Sequence, residues 1–272
     1  MSKNPLGEST DYPQQYELDI LHQIPRLPAR LLLDIDEKIK MYGFDHWHAY
    51  EISWLDSNRK PNVGIGELFF SSESENIIES KSLKLYLNSL NNEIFLSVSD
   101  VQQRIRDDLS KISHSEVKVL ITSAGESESG ELVKRPGRSI DKESISVKDD
   151  GPDESLLKTC RDLVFDEELY SDLFRSNCPV TGQPDWASFQ VKYSGPKIDP
   201  ASLLDYLCSY RNHQGYHEEC CERIFHDIFL MCRPKDLTLS LNFLRRGGLD
   251  INIYRSSQTV TSGIVLPRMK RQ

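Results

Sequence analysis

HWHAYEISWLDSNRKPNVGIGELFF, residues 46–70, holds two runs rich in β-branched and aromatic residues, joined by a polar stretch with Asn58, Pro61 and Asn62. Such runs between turn-forming residues predict two strands. Beyond this pair the apolar period changes. Leu83, Leu87 and Leu90 in IIESKSLKLYLNSLNN (77–92) recur at i, i+4 and i+7, the spacing of one helix face, and leave Ser80, Lys81, Lys84 and Asn88 on the other. The pattern resumes in SDVQQRIRDDLSKI (99–112), where Ser99 is placed to cap a second helix, and EVKVLITSA (116–124) returns as a strand.

The second half repeats this order. A strand near CRDLVF (160–165), a loop, a strand WASFQVKYSG (186–195) and helices from about 199 to 232 are followed by LTLSLNFL (237–244) and LDINIYRS (249–256). The last two alternate as strands and are joined by Arg245-Arg246-Gly247-Gly248, a hairpin turn in which glycine supplies the positive φ. Between the halves, residues 125–155 turn to Gly, Ser, Glu, Asp and Lys. GESESGE (125–131) and KDDGPDES (148–155) are the most polar parts, and at most one short strand, SISVK (144–148), is expected there. The expected organisation is an N-terminal tail (1–14), a first module (15–150) that includes the polar connection, and a second module (151–272). The fold class is α+β, with strand, strand, helices, strand occurring twice and each module packing its helices on one face of an antiparallel sheet.

At 272 residues the chain can bury one large or two ordinary cores. No run approaches the roughly 18–20 apolar residues of a membrane span, and MSKNPLGESTDYPQQ has no apolar stretch after its lysine. A cytoplasmic location is expected, with no membrane partner. The net charge of −9 argues against direct binding of nucleic acid, which needs a basic face. All six cysteines (Cys160, Cys178, Cys208, Cys220, Cys221, Cys232) fall in the second half, where a reducing compartment favours buried thiols over a disulfide framework. They offer no CxxC pair, and His213, His217 and His226 make no ligand set with them, so no metal is expected.

Two stretches carry chemistry-bearing side chains. In SNCPVTGQPDW (176–186), Cys178 precedes Pro179 and a tight turn, at a point where a strand gives way to a loop, and Asp185 returns to the rim. In YHEECCERIF (216–225), His217, Cys220 and Cys221 share a helix face while Glu218 points elsewhere; Glu219 and Glu222 read as a solvated helix start favoured by the dipole. Taken singly, Cys178 reads as inert packing and residues 77–92 as an ordinary amphipathic helix.

Taken together, ESKSLKLY (79–86), SNCPVTGQPDW, YHEECCERIF and RRGGLDINIYRS (245–256), in this order and spacing, resemble the nitrile reductases of queuosine biosynthesis, the QueF family, in its longer two-module form. The resemblance runs almost from LGESTDY to the C-terminus, and its Glu-Ser-Lys-Ser-x-Lys signature separates these reductases from the related GTP cyclohydrolases. One departure is Ile253, where the family pattern has proline.

The resemblance implies tandem tunnelling-fold modules, a homodimer, and NADPH-dependent reduction of the nitrile of 7-cyano-7-deazaguanine. It implies Cys178 as the nucleophile that forms a covalent thioimide and Asp185 as the general acid. Substrate contacts map to Ile78, Glu79, Ser80, His217 and Glu218, and NADPH contacts to Ser80, Lys81, Arg246 and Gly247. No GxGxxG follows a strand, since Gly64 and Gly66 lack the third glycine, so the dinucleotide is held on another fold. Two further readings stay open: a cysteine hydrolase of nitriles or amides, in which water attacks the thioimide, and a purine- or pterin-binding protein without catalysis. Consumption of NADPH separates the reductase from both.

Overall fold

The structure, a computed structural model, describes residues 12–32, 40–123, 135–146, 151–260, 268, 269 and 272. Residues 1–11 of the expected tail, GESESGE, and residues 147–150 lie outside these. The chain divides into two units, one of Met1–Ala29, Phe44–Glu131 and Arg245–Ile251, the other of Arg30–Gly43, Leu132–Leu244 and Asn252–Gln272.

Along the first part of the chain, β1 (Gln23–Pro25) and helix α1 (Arg26–Leu32) precede the long strands β2 (Tyr42–Leu55) and β3 (Pro61–Ser71). A short β4 (Asn76–Ile78) leads into α2 (Ser80–Ser89) and α3 (Val98–Ser113), and β5 (Val117–Ser123) returns to the sheet. The strand order in this unit is β5-β3-β2, all antiparallel. β2 and β3 pair with a register shift between Ala49 and Ile52. That bulge moves the buried apolar set from odd numbers (Trp47, Ala49) to even ones (Ile52, Trp54), so the apolar side chains on both sides of it stay inward. Leu83, Leu87 and Leu90 are buried as their spacing predicts, each contributing about 1.5–3 kcal/mol. Ser80, Lys81, Lys84 and Asn88 are only partly covered.

The second unit carries β6 (Arg138–Ser139), β7 (Thr159–Ser171), β8 (Arg175–Asn177), β9 (Pro184–Ile198), α4 (Pro200–Ser209), α5 (His217–Cys232), β10 (Asp236–Phe243) and most of β11 (Leu249–Ser256). Its order is β11-β10-β9-β7-β6, antiparallel except for the β6–β7 pair, and α5 packs on β10 and β9. This is the α+β class expected, and it fits tandem tunnelling-fold modules.

Two local expectations are corrected. Helix α3 starts at Val98, and its cap is Ser97, whose Oγ accepts from the Asp100 N–H at 3.2 Å. A cap must stand outside helical geometry, as Ser97 does at φ −150° and ψ 162°, whereas Ser99 already lies in the first turn. The short strand expected at 144–148 is absent from its described residues 144–146; Arg138–Ser139 pair with β7 instead.

Both units repeat one set of polar contacts around the first long helix. Ser82-Leu83-x-x-Tyr86-Leu87-x-Ser89 in α2 matches Ser202-Leu203-x-x-Tyr206-Leu207-x-Ser209 in α4. Tyr86 Oη donates to Asp108 on α3 at 2.6 Å, and Tyr206 Oη donates to Asp227 on α5 at 2.6 Å. Ser82 Oγ donates to the Glu79 carbonyl at 2.6 Å and Ser202 Oγ to the Asp199 carbonyl at 2.8 Å. A fully buried phenol needs such a partner, and burial pushes both phenols far above their usual range, so each remains an O–H donor. The duplication therefore extends to individual hydrogen bonds. Tyr206→Phe should lower stability by about 1–3 kcal/mol, because Asp227 loses a donor in a buried setting; a shift of the urea midpoint at unchanged slope checks it.

Candidate active site

Strand β8 ends at Asn177, the chain turns, and β9 begins at Pro184 with Ser176 opposite Asp185 and Asn177 opposite Pro184. The turn is closed twice, by the Cys178 N–H to the Gln183 carbonyl at 2.9 Å and the Gly182 N–H to the Cys178 carbonyl at 3.0 Å. Gly182 sits at φ +67°, a conformation that glycine adopts without strain. The base of the loop is pinned by the Asn177 N–H to the His213 carbonyl (2.8 Å) and the Gly215 N–H to the Asn177 carbonyl (3.2 Å). Cys178 is thus the first residue of a hydrogen-bonded loop, and Asp185 the second residue of the strand that the loop feeds. Both are buried, at 6% and 5% exposure.

Helix α5 delivers the next two expected residues. His217 opens it, with Nε2 3.7 Å from Asp185 Oδ1 and its ring edge-on to Phe243 at 4.1 Å between centroids. Glu218 follows and is buried. The second unit therefore brings Asp185 and His217 together, with Cys178 at the head of the same loop.

Three of the other thiols are poor nucleophiles. Burial pushes Cys220 and Cys232 up to about 12 and Cys208 up to about 11, so all three stay protonated at neutral pH, and Cys221 is fully buried. Cys160 is exposed on β7.

The reading of Glu219 and Glu222 as a solvated helix start is overturned. Glu219 accepts from the Tyr216 N–H at 3.1 Å, and burial raises its pKa. Glu222 is buried; Arg255 Nη2 donates to it at 2.8 Å, and Arg30 donates through both Nε and Nη2 at 2.7 Å. A buried carboxylate needs such paired guanidinium donors. No local pattern points to them, because Arg30 lies 192 residues away in sequence.

In the first unit the signature residues build a helix start. Ile78 ends β4 and is buried. Glu79 is the cap of α2: its two carboxylate oxygens accept from the N–H groups of Lys81 and Ser82, each at 2.8 Å, and Ser80 Oγ donates to it at 3.4 Å. The Arg245–Gly248 turn is closed by the Arg246 N–H to the Leu249 carbonyl at 2.8 Å, with Gly247 and Gly248 at φ +57° and +77°. Two successive positive φ values define the hairpin turn that the sequence predicts.

Lys84, which the sequence reading left outside the cofactor set, reaches this turn. A Cβ on Gly247 would stand 2.9 Å from Lys84 Nζ, and one on Gly248 would stand 2.5 Å from Glu51 Cδ. Lys84 Nζ also lies 3.9 Å from Glu51 Oε2, and Arg245 stacks over Tyr50 at 4.8 Å. Glu51, Lys84, Asn88, Asn91, Gly247 and Gly248 line a pocket of about 280 Å³. Glycines that leave room beside a lysine, with an arginine on the same turn, are a donor set suited to the phosphates of a dinucleotide.

Among the described residues, no helix is long and apolar enough to cross a membrane. A family profile described as nitrile reductase, 7-cyano-7-deazaguanine-reductase N-term, matches residues 12–121, and a second, described as QueF-like protein, matches 184–262. The NADPH-dependent 7-cyano-7-deazaguanine reductase of Coxiella burnetii is 46% identical over 262 residues, covering 96% of this chain and 94% of its own. The reductase of the same name from Burkholderia lata is 44% identical over 255 residues, covering 93% of each chain.

Proposed function

This chain belongs to the QueF family of nitrile reductases, and from that premise we propose that it reduces the nitrile of 7-cyano-7-deazaguanine to the amine of 7-aminomethyl-7-deazaguanine at the expense of NADPH. The observation that carries the reading is the hydrogen-bonded loop whose two ends, Cys178 and Asp185, are buried while residues 180–184 between them are exposed, with His217 3.7 Å from the aspartate.

A nitrile carbon is a poor hydride acceptor, and covalent attack splits one hard step into easier ones. The Cys178 sulfur forms a C–S bond to that carbon, one π bond of the nitrile breaks, and its nitrogen takes a proton from Asp185 to give a thioimide. In this proposal the proton leaves sulfur as attack proceeds and Asp185 relays it to the nitrile nitrogen. NADPH supplies two hydrides in succession, four electrons in all. Between them the C–S bond breaks, Cys178 leaves as thiolate, and the site holds the imine away from water.

Glu218, buried at the start of α5, is assigned to the N–H donors of the guanine-like edge, with His217 beside it. Ile78, Glu79 and Ser80 complete the substrate set in this proposal. Since both Glu79 oxygens already hold the start of α2, substrate contact there is coupled to the helix cap. Ser80, Lys81, Arg246 and Gly247 hold the dinucleotide, and Lys84 joins them. A homodimer and a cytoplasmic location belong to the same reading.

The direct test mixes the protein with 7-cyano-7-deazaguanine and NADPH and follows nicotinamide absorbance and product mass. The expected result is loss of two NADPH for each amine formed. A carboxylic acid or amide product without NADPH loss would point to the hydrolase, and binding without turnover to the non-catalytic protein. Lys84→Met should raise the KM for NADPH about 10-fold, equivalent to about 1.4 kcal/mol, with a smaller change in kcat. Steady-state kinetics at saturating nitrile checks this.

A further inference from the structure

Three side chains of metal-ligand type converge in the first unit. His46 and His48 are two apart on β2, so the strand's period of two turns both imidazoles to one side, and Glu67 of β3 stands opposite His48 in the register. His46 Nε2 lies 2.9 Å from Glu67 Oε2, and His48 Nε2 lies 4.0 Å from the same oxygen. The three donor atoms fall within 4.8 Å of one another, and none of these residues has a part in the nitrile chemistry proposed above.

The surroundings favour an ion. Ligands about 2.0–2.1 Å from a tetrahedral centre are roughly 3.3–3.5 Å apart, and the separations of 2.9 and 4.0 Å bracket that value. The longer one exceeds hydrogen-bonding distance. Asp250 Oδ1 lies 2.6 Å from His48 Nδ1, and Tyr50 Oη donates to Oδ2 of the same carboxylate at 2.7 Å. An ionised carboxylate only accepts, so His48 Nδ1 carries the proton of this contact and the neutral ring keeps its lone pair on Nε2, the nitrogen nearer Glu67; by the same rule His46 Nε2 donates to Glu67 until an incoming ion displaces that proton. This is the carboxylate–histidine arrangement that orients a metal ligand. The His46 ring is clamped flat on Phe69, with centroids 4.1 Å apart and planes 8° apart. Two carboxylates, Glu67 and Asp250, stand against one cation that acts on Glu67, Lys118, whose Nζ lies over the Phe69 ring at 5.3 Å.

We propose that His46, His48 and Glu67 form a binding site for a divalent transition metal of the zinc class, with Asp250 as the outer partner that orients His48. Two imidazoles and a carboxylate suit zinc, nickel or cobalt better than magnesium or calcium, and three protein ligands leave a position for water or a small anion. The expectation of no metal came from the cysteines and histidines of the second half. This trio lies on strands of the first and contains no cysteine.

The test titrates the full-length protein, freed of metal by chelation, with Zn²⁺ by calorimetry and with Co²⁺ by visible absorption. The expected result is one ion per chain with a Kd of about 1 µM or tighter. His48→Asn, which keeps an amide toward Asp250 but lacks Nε2, should abolish the site, and Asp250→Asn should weaken it about 10–100-fold. Three results would overturn the proposal: no binding by the wild type at about 100 µM Zn²⁺, binding undiminished in His48→Asn, or a cobalt spectrum with thiolate charge transfer, which would place the ion on cysteine. If His48→Asn fails to fold, the wild-type spectrum and Asp250→Asn decide the question.

Discussion

Under the proposed mechanism Cys178→Ala should remove NADPH oxidation, with kcat falling by more than about 10⁴-fold, as expected when the proposed nucleophile is lost. Buried thiols cannot stand in for it. Cys220 and Cys232 are held near 12 by burial, and a protonated thiol is a weak nucleophile. The substitution deletes a single sulfur from a buried position, and the bonds that close the loop run through backbone N–H and carbonyl groups, which alanine keeps. Binding of 7-cyano-7-deazaguanine to the variant, measured by calorimetry, should therefore stay within a few fold of wild type. Residual turnover near the wild-type rate would remove Cys178 from the mechanism.

Asp185→Asn separates binding from chemistry. Asparagine occupies the same volume but cannot supply the proton that the nitrile nitrogen needs as sulfur attacks. A loss of about 10²–10⁴ in kcat with an almost unchanged substrate Kd is expected. The variant also leaves His217 Nε2, now 3.7 Å from a carboxylate oxygen, facing a neutral amide. A fall in affinity that accounts for the whole loss would make Asp185 a substrate contact only.

Much of this was legible in the chain because hydrophobic period and turn residues act locally. The strands around residues 46–70, the leucine face of 77–92 and the glycine turn at 247–248 needed no knowledge of the rest of the molecule. The duplication was inferred from the order of elements, yet a more direct signal was present: Ser-Leu-x-x-Tyr-Leu-x-Ser occurs at 82–89 and again at 202–209, and each copy makes the same Tyr–Asp bond. What stayed hidden depends on partners distant in sequence. By local pattern Glu222 reads as a surface residue, whereas Arg30 and Arg255 beside it come from distant parts of the chain, and Glu67 meets His46 and His48 only through the register of β2 with β3, which its bulge alters. Lys84 reads as one of several cations on a polar helix face; its approach to Gly247 rests on a hairpin more than 150 residues later.

The most direct measurement is the intact mass of the wild-type protein mixed with 7-cyano-7-deazaguanine in the absence of NADPH, followed by mapping of the modified peptide. The account predicts a gain of one whole nitrile molecule per site, with nothing lost, carried by the peptide that contains Cys178. An unchanged mass under conditions that support turnover once NADPH is added, or an adduct on another residue such as Cys160, would contradict it.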